Sequence, residues 1–306
     1  MKTYNRKYSA LLFLASLLTG STILACLPRI WAYNRQNTLN HQLLNALLLE
    51  DTRQAIALVE AGANPNTLTP LPVSSVADLM HQLFHTSPVL PVSSRKTAFL
   101  CACGCNWYEY DHTPQIQSGD PAMLQLTQVM LLHGANVNAK DENGRTLLMW
   151  VASNGRTDIM HALLQHAADI SLQSNRGQSA LHYAVDKEQM EAVKVLIKYS
   201  INKRSIVNIT NSSGSTVMMH ASARGLVNIM TLLLHNGASI DLQDNKGQTA
   251  LHYAVVLERT EAVRVLLKHH AKLHLKNRNG KTPLDLALQA PHFPPEIIQL
   301  LKQAEK

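Results

Sequence analysis

Asn245-Lys246-Gly247-Gln248-Thr249-Ala250-Leu251-His252 decides the reading of this chain, because its pattern returns. Glycines at 144, 177, 214, 247 and 280 stand in similar polar settings, 33, 37, 33 and 33 residues apart. Two residues after each comes a Thr or Ser and then an apolar run: Thr146-Leu147-Leu148-Met149, Ser179-Ala180-Leu181-His182, Thr216-Val217-Met218-Met219, Thr249-Ala250-Leu251-His252 and Thr282-Pro283-Leu284-Asp285. A hydroxyl at that place satisfies amide donors at a helix start, and proline fits the first turn, where no donor is missed. A second helix is expected each time, as in Glu191 to Tyr199 and Glu261 to His269, where Ala192, Val193, Leu196 and Ala262, Val263, Leu266 recur at helical spacing. His133-Gly134-Ala135 and Asn236-Gly237-Ala238 close such helices, glycine supplying a left-handed conformation.

A helical unit repeating every 33 residues, with a Thr-Pro-Leu-His-like start, resembles the ankyrin repeat. The resemblance implies an all-α fold, an ankyrin-repeat solenoid of helix-turn-helix-finger units, here preceded by one hydrophobic N-terminal helix. It extends over residues 41–303 and gives about seven repeats. The first ends in Ala61-Gly62-Ala63-Asn64, and the second starts at Thr97-Ala98-Phe99-Leu100. Their spacing requires insertions near 68–96 and 106–121. Residues 146–185 match residues 216–255 at about half their positions, as duplication of a two-repeat unit would leave them.

Residues 1–35 form a separate segment, a membrane anchor or signal followed by a linker. Lys2, Arg6 and Lys7 precede 21 uncharged residues from Tyr8 to Pro28, enough as a helix to cross a hydrocarbon core of about 30 Å. Three readings stay open: a retained single-pass anchor with the membrane contact through residues 8–31, a lipoprotein signal with Cys26 as the lipidated residue of a lipobox-like Ile23-Leu24-Ala25-Cys26, and a plain cleaved signal. Each carries the repeats across a membrane of bacterial type, because the positive flank should stay cytoplasmic.

Apolar residues make up 46% of the chain and charged ones 16%, enough apolar surface to offset the entropy of folding and exclude a disordered polyampholyte. The net charge of +7 favours acidic partners weakly, but no dense Lys and Arg run is present, so no nucleic-acid partner is expected. There is no Gly-x-Ser-x-Gly, phosphate loop, dinucleotide fingerprint or His-Glu-x-x-His, so neither catalysis nor a cofactor is expected.

The resemblance implies that His182 and His252 bond loop backbone and tie neighbouring repeats together. Cys101 and Cys105 are four apart on a helix and face together, able to share a metal or take part in redox chemistry; tight packing of small residues also accounts for them, with Cys103 at a small buried position. A cysteine-dependent redox or metal-handling protein therefore stands as the alternative to a binding scaffold. For the scaffold, the resemblance places partner contacts on a concave face of finger tips and first helices. Trp150, Tyr183, His220 and Tyr253 follow their signatures directly and are expected to point there, with Cys101 and Leu286 in the equivalent places. Aromatic residues with few rotamers make efficient contact area. Finger tips pass from acidic at Asp141 and Glu142 to basic at Lys246, Arg278 and Lys281. The implied partner is a protein.

Overall fold

A computed structural model describes residues 35, 38–40, 42–43, 46, 52–66, 121–290 and 293–305. Within them the chain is helical, with no strand. α1 (Thr52–Glu60) and α2 (Pro121–Leu132) are followed by five helix pairs: α3 (Leu147–Ser153) with α4 (Thr157–Gln165), α5 (Ala180–Asp186) with α6 (Met190–Tyr199), α8 (Val217–Arg224) with α9 (Val227–His235), α10 (Ala250–Val256) with α11 (Thr260–Lys268), and α12 (Pro283–Gln289) with α13 (Pro295–Ala304). The short α7 (Lys203–Val207) intervenes after α6 and takes up the four extra residues of the 37-residue interval.

First helices α3, α5, α8, α10 and α12 pack side by side in one layer, and second helices pack in another. Helices of seven to ten residues are too short to persist alone, so their stability comes from this stacking. Leu147, Leu181, Val217, Ala250 and Leu251 from the first layer and Ile159, Val193, Ile229 and Val263 from the second are buried in one continuous core.

Each first helix starts as its sequence predicts. Thr146, Thr216, Thr249 and Thr282 accept a hydrogen bond from the amide three residues on, and all five starts, including Ser179, form a reciprocal box with the third helical residue. That residue varies in chemistry but not in role: Met149 and Met219 sulfurs, His182 and His252 Nδ1 and the Asp285 carboxylate each accept the cap residue's backbone N–H.

The polar turns between repeats are cross-tied. Asn138, Asn208 and Asp241 each accept a backbone N–H of the next repeat, from Asp169, Ser239 and Lys272, 31 residues further on. Asn66 does the same for Asn136 at 2.7 Å, but 70 residues on, and its amide donates to the Gly134 carbonyl. α1 and α2 are also in contact. The chain between these neighbours thus holds more than one repeat length of extra residues. The positions expected to carry insertions, 68–96 and 106–120, lie outside the described residues.

The hydrophobic segment 8–31, with Cys26, and Cys101, Cys103 and Cys105 lie outside the described residues too. Among the described residues no helix is long and apolar enough to cross a membrane, and no group of three His, Cys, Asp or Glu side chains is arranged to hold a metal.

Candidate functional site

The fingers between repeats are tight turns built on an Asp, Asn or Ser three residues before each recurring glycine. Asp141 Oδ1 accepts the amides of Asn143 and Arg145, Asp244 those of Lys246 and Gln248, Asn211 those of Ser213 and Ser215, and Asn277 those of Asn279 and Lys281. Successive fingers bond through their backbones: Asn175 N–H to the Asn143 carbonyl, Asn245 to Ser213, and Arg278 to Lys246, at 2.8 to 2.9 Å.

This geometry corrects the expected acidic tip. Asp141 is buried at the finger base, where its other oxygen pairs with Arg145 at 3.0 Å, so its charge is spent on the turn and not offered to a partner. Glu142 remains exposed, as do Lys246 and Arg278, while Lys281 is half-buried.

Trp150, Tyr183, His220 and Tyr253 occupy equivalent places on α3, α5, α8 and α10, and so form a row across the first-helix layer. All four are half-buried. The expectation that the aromatic three project clear of the stack is too simple, since Trp150, Tyr183 and Tyr253 also pack against the core. Tyr253 Oη donates to Asp244 Oδ2 at 2.6 Å; burial, together with that bond and the Asp244 charge, pushes the phenol up to about 12.

His220, the third member of the row, is held by residues that periodicity did not single out. Asp186, at the end of α5, receives His220 Nδ1–H from α8 at 2.7 Å on one oxygen and the Gln178 amide at 3.1 Å on the other. Arg224 stands 3.9 Å from Asp186 and 3.6 Å from Glu188. Burial raises the Asp186 carboxyl, but the His220 hydrogen bond and the neighbouring positive charges outweigh it and hold the group below the usual carboxylate range. Asn211 fixes the tautomer of His220. Its oxygen is occupied by two backbone amides, so its Nδ2 must donate to His220 Nε2, leaving the proton on Nδ1.

Asp186, Ser215, Met219, His220, Arg224 and Tyr253 line an open cleft of about 200 Å³ between three first helices. The signal for Asp186 and Arg224 was present in sequence, three and four residues after Tyr183 and His220, because those spacings share a helix face.

His182 is wholly buried one residue before Tyr183. Its Nδ1 accepts the Ser179 amide, and its Nε2 donates to the Ser215 carbonyl of the next repeat at 3.2 Å. His252 makes the equivalent bond to the Lys281 carbonyl. Both histidines thus tie repeats together. Family comparison agrees: residues 117–206, 156–244, 201–277 and 218–306 each match the model for ankyrin repeats in three copies. The chain belongs to the ankyrin-repeat family. Ankyrin repeats generally bind protein partners and are typically non-catalytic.

Proposed function

We propose that this protein is a non-catalytic binding scaffold whose ankyrin first helices and fingers hold a protein partner, and that residues 8–31 tether it to, or export it across, a membrane. The observation that carries the reading is the row Trp150, Tyr183, His220 and Tyr253: large, half-exposed side chains at one helical place in four successive repeats, beside an open cleft. Half-exposed aromatics held by a packed layer lose little conformational freedom on binding and contribute large contact area. Glu142 and, further along, Lys246, Arg278 and Lys281 border that row and set the partner's register by charge. The full reading, about seven repeats over 41–303 with the repeats outside the cytoplasm, rests on the sequence.

The test has two arms. A partner isolated with the full-length protein should lose affinity when Trp150, Tyr183 or Tyr253 is substituted, and keep it when Lys194 and Lys198, exposed on the second-helix layer, are reversed in charge. The opposite outcome places the interface on the second helices. Membrane fractionation of the full-length chain, with lipid labelling dependent on Cys26 as the lipoprotein outcome, tests the tether; recovery in the cytoplasmic fraction refutes it.

A further inference from the structure

The row changes chemistry along the stack. Three and four residues after its aromatic or imidazole member, the same helix face presents Ser153 and Asn154, then Asp186 and Lys187, then Ala223 and Arg224, and finally Val256 and Leu257. Those last two are 48% and 44% exposed, a pair of large apolar side chains beside Tyr253 where each preceding repeat has at least one polar or charged residue.

At the other end of the same helix the fingers are basic. Lys246, Lys276 and Arg278 are exposed and Lys281 is half-buried, and their side chains make no ion pair or hydrogen bond among the described residues. Among the other finger cations of the described residues Arg145 is engaged by Asp141 and Lys140 by the Gln173 carbonyl, while Arg176 stands alone and exposed; only in the last two repeats do several such cations fall together. The nearby carboxylates are committed within the fold. Asp244 binds two finger amides and Tyr253, and Asp285 caps α12 through Thr282. Bonds between the fingers, Arg278 N–H to the Lys246 carbonyl and the Gln243 side-chain amide to the Lys276 carbonyl, hold these cations on one platform.

We infer that the sixth and seventh repeats bind an acidic protein segment that carries apolar side chains beside its carboxylates, the acids on Lys246, Lys276 and Arg278 and the apolar groups on Tyr253, Val256 and Leu257. This rests on the scaffold reading and names the chemistry of its partner. α10 separates the two subsites by about 10 Å, from seven residues at 1.5 Å each. An extended peptide covers that in about three residues. A nucleic-acid backbone offers nothing apolar for Val256 and Leu257, and an anionic bilayer is flat, whereas these subsites stand at opposite ends of a helix.

The experiment measures fluorescence anisotropy of the full-length protein with a labelled peptide holding paired glutamates and paired leucines three residues apart. Binding should weaken with salt, because exposed charges are screened. The triple variant K246E/K276E/R278E should bind at least about tenfold more weakly at low salt. Leu257→Ser should weaken binding about threefold or more at high salt, where the apolar contact remains. Three outcomes overturn the inference: wild-type affinity weaker than about 1 mM, equal binding of a lysine-for-glutamate peptide, or displacement by an oligonucleotide or phosphatidylserine vesicles that is indifferent to Leu257→Ser. Loss of peptide binding in Trp150→Ala, with the triple variant binding like wild type, also overturns it but leaves the scaffold reading intact, since the contact then lies on earlier repeats.

Discussion

His182 Nε2 donates to the carbonyl of Ser215, 33 residues ahead, at 3.2 Å, so one imidazole joins the start of its own helix to the start of the next. Both ring nitrogens are committed in the neutral form, because a second ring proton would face the Ser179 amide. Burial, and then repulsion from the protonated form of His220, whose ring centre is 5.3 Å away, lower its pKa from 6.5 to about 4. In the unfolded chain it takes up a proton as pH falls through 6.5, while the native ring resists until about 4. Stability is therefore complete above 6.5 and is lost progressively between 6.5 and 4, by about 3 kcal/mol at most from this group. His252, whose pKa burial also lowers, adds to the loss in the same direction. Urea unfolding at pH 7 and pH 5 should show a larger drop for the wild type than for His182→Gln. Equal drops refute the assignment.

Gly177 and Gly280 have the same backbone, φ +71°, but different surroundings. A Cβ on Gly177 would meet the Ser212 backbone nitrogen and lie 2.8 Å from the Asn211 carbonyl carbon, whereas on Gly280 nothing lies within 4 Å. Both alanine variants carry a left-handed strain of about 1–2 kcal/mol. Gly177→Ala should cost about 1 kcal/mol more, because a neighbouring finger has to move. Unfolding midpoints of the two variants check this; equal values mean the fingers are not in contact.

Much of this architecture was legible because it rests on local rules that repeat. The Thr and Ser caps and the glycine turns each follow from a few adjacent residues, and the bridging histidines from the resemblance to ankyrin repeats. What escaped depends on relations between repeats. Asp186 meets His220 across 34 residues, a pairing that emerges only when α5 and α8 are laid side by side. Asp141 looks like a surface acid in a polar string, yet its carboxylate organises the turn it precedes. Glycine also overstated its necessity. Ala167 and His270 take the left-handed closing position that Gly134 and Gly237 fill elsewhere, and Glu188 and Glu258 do so between paired helices. Packing of the stack imposes the conformation, and the side chain bears the strain.

Ser222 sits at the place occupied by Ala152, Val185 and Val255 in other repeats. It is fully buried, and its hydroxyl has no hydrogen-bond partner among the described residues. Burying that oxygen without compensation is unfavourable, and alanine is also the better helix former. Ser222→Ala should raise stability by about 1 kcal/mol. A loss of that size in urea unfolding would mean that the hydroxyl is in fact bonded.

Tyr253 carries two roles that separate substitutions can distinguish. Its ring is half-exposed on the first-helix row, while its hydroxyl satisfies the buried Asp244 carboxylate at 2.6 Å. Removing only the hydroxyl leaves one Asp244 oxygen short of a partner, so Tyr253→Phe should destabilise the protein by about 1–3 kcal/mol. The ring remains, and partner affinity should then change by less than about 0.5 kcal/mol. Tyr253→Ala removes the ring as well and should reduce affinity by about 2 kcal/mol if the ring anchors the partner. Trp150→Ala supplies the companion measurement, since no side-chain hydrogen bond among the described residues depends on its indole. Affinity measured by calorimetry, at temperatures where circular dichroism shows each variant folded, separates contact from stability. Equal affinities for Tyr253→Phe and Tyr253→Ala, alongside an unaffected Trp150→Ala, would remove the aromatic row from the interface.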